Sequence, residues 1–118
     1  FKALYLQTAK EYIEKLRNNQ SLATDEMIAE LFISAHSLKS QSLVMGYKST
    51  WTLCGMLEKV GRSLKEKSLI PNDQIVQAVS QGIEKIAISV AGIESHDQEA
   101  STTDDITALE VASGLTIS

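Results

Sequence analysis

The sequence predicts an all-α chain, an up-and-down antiparallel four-helix bundle with a short fifth helix at its C-terminal end. Three observations carry this. Only one Pro and six Gly occur in 118 residues, far fewer turn formers than an all-β domain of that length requires. Apolar residues recur at spacings of three and four through most of the chain. The segments between these runs are short, and short links make sequential helices antiparallel neighbours.

The first helix, roughly 18 residues long by its periodicity, carries Leu6, Ala9, Ile13 and Leu16 on one side and Lys10, Glu11, Glu14 and Lys15 on the other. Asn18 to Ser21 forms a polar break. Thr24, ahead of Asp25 and Glu26, then offers an N-cap with carboxylates at the positive end of the next helix dipole. The second helix places Ile28, Leu31, Ala35, Leu38, Ser42 and Met45 on one stripe, and Gly46 supplies the left-handed residue that ends it. A third helix is expected from Lys48 to Lys67, with Trp51, Cys54, Leu57, Val60 and Leu64 inward. The very short link before it forces a helical hairpin. Pro71 marks the next boundary, and Ile75, Val79, Ile83, Ile86, Val90 and Ile93 form the fourth stripe. After a polar stretch from Glu94 to Thr103, Thr103, Asp104 and Asp105 start a fifth helix that runs through Ala112, with Gly114 just beyond. In domain terms, residues 1–97 make the bundle, 98–113 the C-terminal helix and 114–118 a frayed tail.

Composition narrows the function. With 43% hydrophobic and 22% charged residues the chain can fold around a core. A net charge of −4 argues against nucleic acid as a partner, because phosphate binding needs clustered cations. Lys59, Arg62, Lys65 and Lys67 do cluster, but Glu58 and Glu66 interleave, as on a solvated helix face. No apolar run of about 20 residues and no signal-peptide pattern occurs, and the single cysteine, Cys54, cannot form an internal disulfide. A cytoplasmic protein without membrane insertion is therefore expected. Phe1 in place of an initiator Met suggests a piece of a longer protein, and a monomer is the expected state of this piece.

Candidate chemistry is sparse. His36 and His96 lie in different regions with no Cys or carboxylate at zinc-ligand spacing, so no metal is expected. No glycine-rich phosphate loop is present, and no cofactor is expected. Cys54 falls on an apolar stripe with no cation to stabilise a thiolate, which makes it a buried structural residue rather than a nucleophile. His36 differs. At 100° per residue the apolar stripe of the second helix centres roughly 130° away from it, turning the imidazole toward solvent. Phe32, Ile33, Lys39, Ser40 and Leu43 surround it. Apolar residues leaning outward around a nucleophilic ring suggest a docking surface.

The run Ala35-His36-Ser37-Leu38-Lys39-Ser40, with Gly46 ten residues after the histidine and Leu57-Glu58 ending 22 residues after it, resembles the signature of histidine phosphotransfer (HPt) domains. The helix count and lengths agree, so the resemblance covers most of the chain. The text Tyr12-Ile13-Glu14-Lys15-Leu16 and the fifth helix are most similar to the N-terminal phosphorylation domain of CheA-type chemotaxis kinases, and hybrid sensor kinases carry similar modules. Ser40 stands where the family usually has Gly, and Gly55 where many chemotaxis-type members have a second His.

The resemblance implies that His36 accepts a phosphoryl group from ATP held in a separate histidine kinase domain. It then passes the group to an aspartate of a response-regulator receiver domain. In that scheme Glu58 accepts a hydrogen bond from Nδ1 of His36 and leaves Nε2 to attack, and Lys39 neutralises phosphoryl oxygens. Ser40 keeps space beside the ring, Gly46 closes the helix, and Phe32, Ile33 and Leu43 touch the partner. The chain is then substrate and carrier rather than a catalyst on its own. The other reading is an HPt-like helical docking module that binds receiver or kinase domains without carrying phosphate.

Overall fold

The periodicity and caps resolve into five helices: α1 (Lys2–Asn18), α2 (Asp25–Met45), α3 (Lys48–Lys65), α4 (Asp73–His96) and α5 (Thr103–Ser113). The structure is a computed structural model that describes residues 1–117, and no strand occurs among them. α1 packs on α2 and α4, and α3 on α2 and α4, closing a ring of four, with α5 laid over α3 and α4. At 1.5 Å per residue, the 24 residues of α4 account for the longest dimension of 37 Å. Leu16, Leu31, Leu38, Leu53, Leu57, Ile83 and Ile86 are fully buried in the centre, each worth roughly 1.5–3 kcal/mol relative to exposure.

The helix ends follow local chemistry. Thr24 Oγ1 accepts from the Met27 N–H at 3.1 Å and Asn72 Oδ1 from the Ile75 N–H at 2.9 Å, so the fourth helix starts after Asn72, with Pro71 just outside it. Gly46 has φ +80°, and the next N–H, of Tyr47, returns to the Ser42 carbonyl at 2.9 Å. That turn reverses the chain within two residues and sets α2 against α3.

Several expectations are corrected. α3 stops at Lys65 rather than Lys67, because Lys67 itself takes the left-handed conformation (φ +66°) that ends helices. α4 continues through the polar residues Glu94 and Ser95 to His96 and closes at Asp97, also left-handed (φ +55°). Trp51 is half-buried, while Leu53 and Met56 are fully buried. α3 is covered by α2, α4 and α5, so its buried face is wider than one stripe. In the segment expected to fray, Leu115 packs against the core and the Ile117 N–H donates to Glu110 at 3.0 Å. Ser118 lies outside the described residues.

The turn after α4 needs Gly92. A Cβ there would collide with the Gln98 carbonyl oxygen, which is backbone and cannot swing aside. Gly92→Ala should therefore destabilise the fold by about 1–3 kcal/mol, read as a lower urea midpoint with an unchanged m-value.

This turn also delivers a cap to α3, whose own N-cap residue, Tyr47, makes no side-chain cap hydrogen bond. Glu99 accepts the Thr50 N–H and the Thr50 hydroxyl, each at 2.7 Å. Ser89 Oγ, 2.9 Å from Thr50 Oγ1, accepts the Ala100 N–H at 3.1 Å. A carboxylate at a helix N-terminus satisfies donors that the helix leaves open.

Candidate functional site

Two glycines on α3 face α2. A Cβ on Gly61 would come within 3.3 Å of Phe32 Cα, and one on Gly55 within 3.4 Å of Lys39 Cδ. Their lack of side chains lets the hairpin close tightly, and Glu58, midway between them on the same face, is pressed against α2. Its side chain is 6% exposed, whereas that of His36 is 56% exposed.

The hairpin brings His36, Lys39 and Glu58 together. His36 Nδ1 makes a short hydrogen bond with Glu58 Oε2, and Lys39 Nζ donates to Glu58 Oε1 at 2.5 Å. Arg62, one turn along α3, places a guanidinium nitrogen 3.7 Å from Glu58 Oε2. Burial opposes ionisation of Glu58, but the hydrogen bonds from Lys39 and His36 outweigh it and hold the carboxyl below its usual range. With Glu58 an acceptor only, Nδ1 donates this hydrogen bond, and in the neutral ring the lone pair then lies on Nε2. A buried carboxylate behind an exposed imidazole can orient the ring and stabilise positive charge that develops on it.

Ser40 Oγ turns back to the His36 carbonyl at 3.1 Å, leaving a small, exposed residue one turn from the ring. Ile33 and Leu43 are exposed at 51% and 52%. Phe32 is half-buried against α3 instead of leaning freely outward, because Gly61 admits it. Beyond Ser40, on the α1 side, an open apolar groove of about 370 Å³ is lined by Leu4, Tyr5, Val44 and Met45.

Three features were not expected from the sequence. Glu58, expected as the acceptor for His36 Nδ1, makes that contact, but it is buried rather than part of the solvated charged face its neighbours suggested. Lys39, read as a cation for phosphoryl oxygens, is bonded to that carboxylate. Arg62 joins the cluster, and a cation at i+4 from Glu58 was the signal available for it. Cys54 is fully buried, and burial pushes its thiol far above the usual range, in keeping with a structural role. His96 sits apart in the last turn of α4. Among the described residues no cluster of three or more His, Cys, Asp or Glu could hold a metal ion, and no helix is long and apolar enough to cross a membrane.

No curated protein and no solved structure matches the chain. The family model described as the Hpt domain matches residues 1–89, which takes in α1 to α3, most of α4 and the whole His36 cluster. Hpt domains work between kinase and receiver domains. On a match over three-quarters of its length, the chain belongs to the Hpt domain family, the histidine phosphotransfer modules of phosphorelay signalling.

Proposed function

We propose that His36 is the residue that carries the phosphoryl group, taking it from ATP bound in a separate histidine kinase domain and giving it to a receiver aspartate. The observation that supports this most is the pairing of an exposed imidazole with a buried, ionised carboxylate at Nδ1. The Nε2 lone pair attacks the γ-phosphorus in line, and the bond to ADP breaks with its electrons leaving on ADP. Nδ1 keeps its proton, so the ring becomes cationic against Glu58. Transfer through a loose transition state demands alignment and charge stabilisation more than covalent assistance, and Glu58 provides both.

Lys39 donates to Glu58 and helps hold it ionised and in place, and the remaining N–H donors of its ammonium are free to neutralise phosphoryl oxygens. Ser40 leaves room for the incoming domain, and Ile33, Leu43 and the edge of Phe32 give it apolar contact. Gly46 keeps the hairpin tight. Residues 1–97 are the phosphotransfer bundle, with residues 98–113, the turn after α4 and then α5, bracing α3 and α4. The resemblance of α1 and α5 to CheA-type phosphorylation domains favours a chemotaxis kinase in the cytoplasm as the parent protein, with this piece a monomer.

The docking-module alternative predicts binding without labelling. Incubation with γ-labelled ATP and a CheA-type kinase domain should yield an acid-labile, alkali-stable phosphate on this chain. Stable binding of the kinase or receiver domain with no such label would favour the docking module instead.

A further inference from the structure

Although the chain carries a net charge of −4, the α3 side of His36 is cationic. The ring of Phe32, one turn before His36, lies under two cations, with Arg62 Cζ 5.5 Å and Lys65 Nζ 5.2 Å from its centroid. Gly61 lets the Phe32 backbone and Cβ sit close against α3, and the ring is an aromatic platform that holds both cations on one side of the site. Glu58 is the carboxylate in contact with Arg62, and it is already shared with His36 and Lys39. Farther along, Lys67 is paired with Asp25 at 2.7 Å, which closes the patch. Arg62 and Lys65 thus present two cations on the Phe32 ring beside His36, with Asp25 and Glu26 lining the cleft that Lys65 and Lys67 share.

The chemistry says which step needs that charge. In the first step a neutral imidazole meets a phosphate. In the second, a carboxylate must approach a ring bearing a phosphoryl group of about two negative charges, and like charges converge. The Nε2–P bond breaks with its electrons returning to Nε2, a carboxylate oxygen forms the new P–O bond, and the Nδ1 proton stays on the bond to Glu58. No proton moves that could relieve the repulsion, so cations flanking the site ease the approach of the two acidic surfaces.

We propose that Arg62 and Lys65, held on Phe32, form the recognition surface for the acidic face of the receiver domain that takes the phosphoryl group from His36. The inference rests on the phosphotransfer reading above. Lys65, held on the Phe32 ring and outside the ion pairs of Glu58, is placed to meet the protein surface around the acceptor carboxylate. Such charge complementarity acts chiefly on the rate of encounter and on partner choice.

The test loads His36 chemically with phosphoramidate, so no kinase is needed, and follows discharge to a set of isolated receiver domains, the fastest serving as probe. For the wild type, kcat/KM should fall steeply with salt. Lys65→Glu should lower kcat/KM at low salt roughly ten-fold, with the rate at saturating receiver kept, and Arg62→Glu/Lys65→Glu should lower it further. Lys10→Glu/Lys85→Glu, with the same change in net charge on α1 and α4, should discharge as the wild type does. Circular dichroism checks that each variant is folded. Wild-type kcat/KM and salt dependence in Arg62→Glu/Lys65→Glu, or an equal loss in the control, would overturn this inference and leave the phosphotransfer function standing. A loss confined to phosphorylation by a kinase domain would assign the face to the donor and likewise overturn it. If His36 takes no phosphate, or no receiver discharges it, both readings fall.

Discussion

His36→Gln should reduce phosphate incorporation from ATP to background while leaving the helical fold intact. The side chain is 56% exposed and belongs to no part of the core, so stability should stay within about 1 kcal/mol of the wild type. Gln is the informative replacement because its amide N–H can still donate to Glu58. Glu58 therefore keeps a partner, and the change isolates the nucleophile from the carboxylate behind it. The measurement is label transfer from γ-labelled ATP through a cognate kinase domain, paired with a thermal melt. Acid-labile label persisting in a folded Gln variant would move the acceptor elsewhere, and His96 is the second of the two histidines in the sequence.

Glu58→Gln should slow phosphorylation by roughly 10- to 150-fold. This follows from a charge-assisted hydrogen bond worth about 1.5–3 kcal/mol, at 1.36 kcal/mol per decade of rate. The carboxylate bonds Nδ1 through one oxygen and Lys39 through the other, and positive charge appears on the ring as the Nε2–P bond forms. A neutral amide keeps the shape and loses that stabilisation. It can also donate to Nδ1, which favours the tautomer with the lone pair on the wrong nitrogen. Docking should persist, because the side chain is 6% exposed and makes no direct surface. The separation is read in kcat against KM for the kinase domain. A kcat equal to that of the wild type would remove Glu58 from the mechanism.

What the sequence revealed, and what it hid, depends on how far each cause lies along the chain. Thr24 and Gly46 act within a turn of the residues they cap, and both ends of α2 were legible from them. The exposure of His36 followed from the angle between one residue and one stripe. The pairing of Glu58 with His36 was expected from the resemblance, but its burial was not. A glutamate beside Lys59 and Arg62 has the pattern of a solvated charge, and its burial depends on Gly55 and Gly61 admitting α2, a pairing visible only when two helices meet. Gly55 registered in the sequence as a missing histidine, whereas in the fold it makes room for Lys39. The Glu99 cap lies some fifty residues from the helix it completes, so no local signal could reveal it. Lys67 took a left-handed position usually filled by glycine, and composition offered no warning.

The central claim is that Glu58 holds the Nδ1 proton and leaves Nε2 to carry phosphate. Long-range nitrogen–proton NMR of the His36 ring, before and after loading with phosphoramidate, tests it most directly. The account predicts a protonated Nδ1 in the unmodified chain and phosphorus coupling to Nε2 after loading, with the Nδ1 proton retained. Phosphorus bonded to Nδ1, or a ring in the Nε2-protonated tautomer at neutral pH, would contradict it.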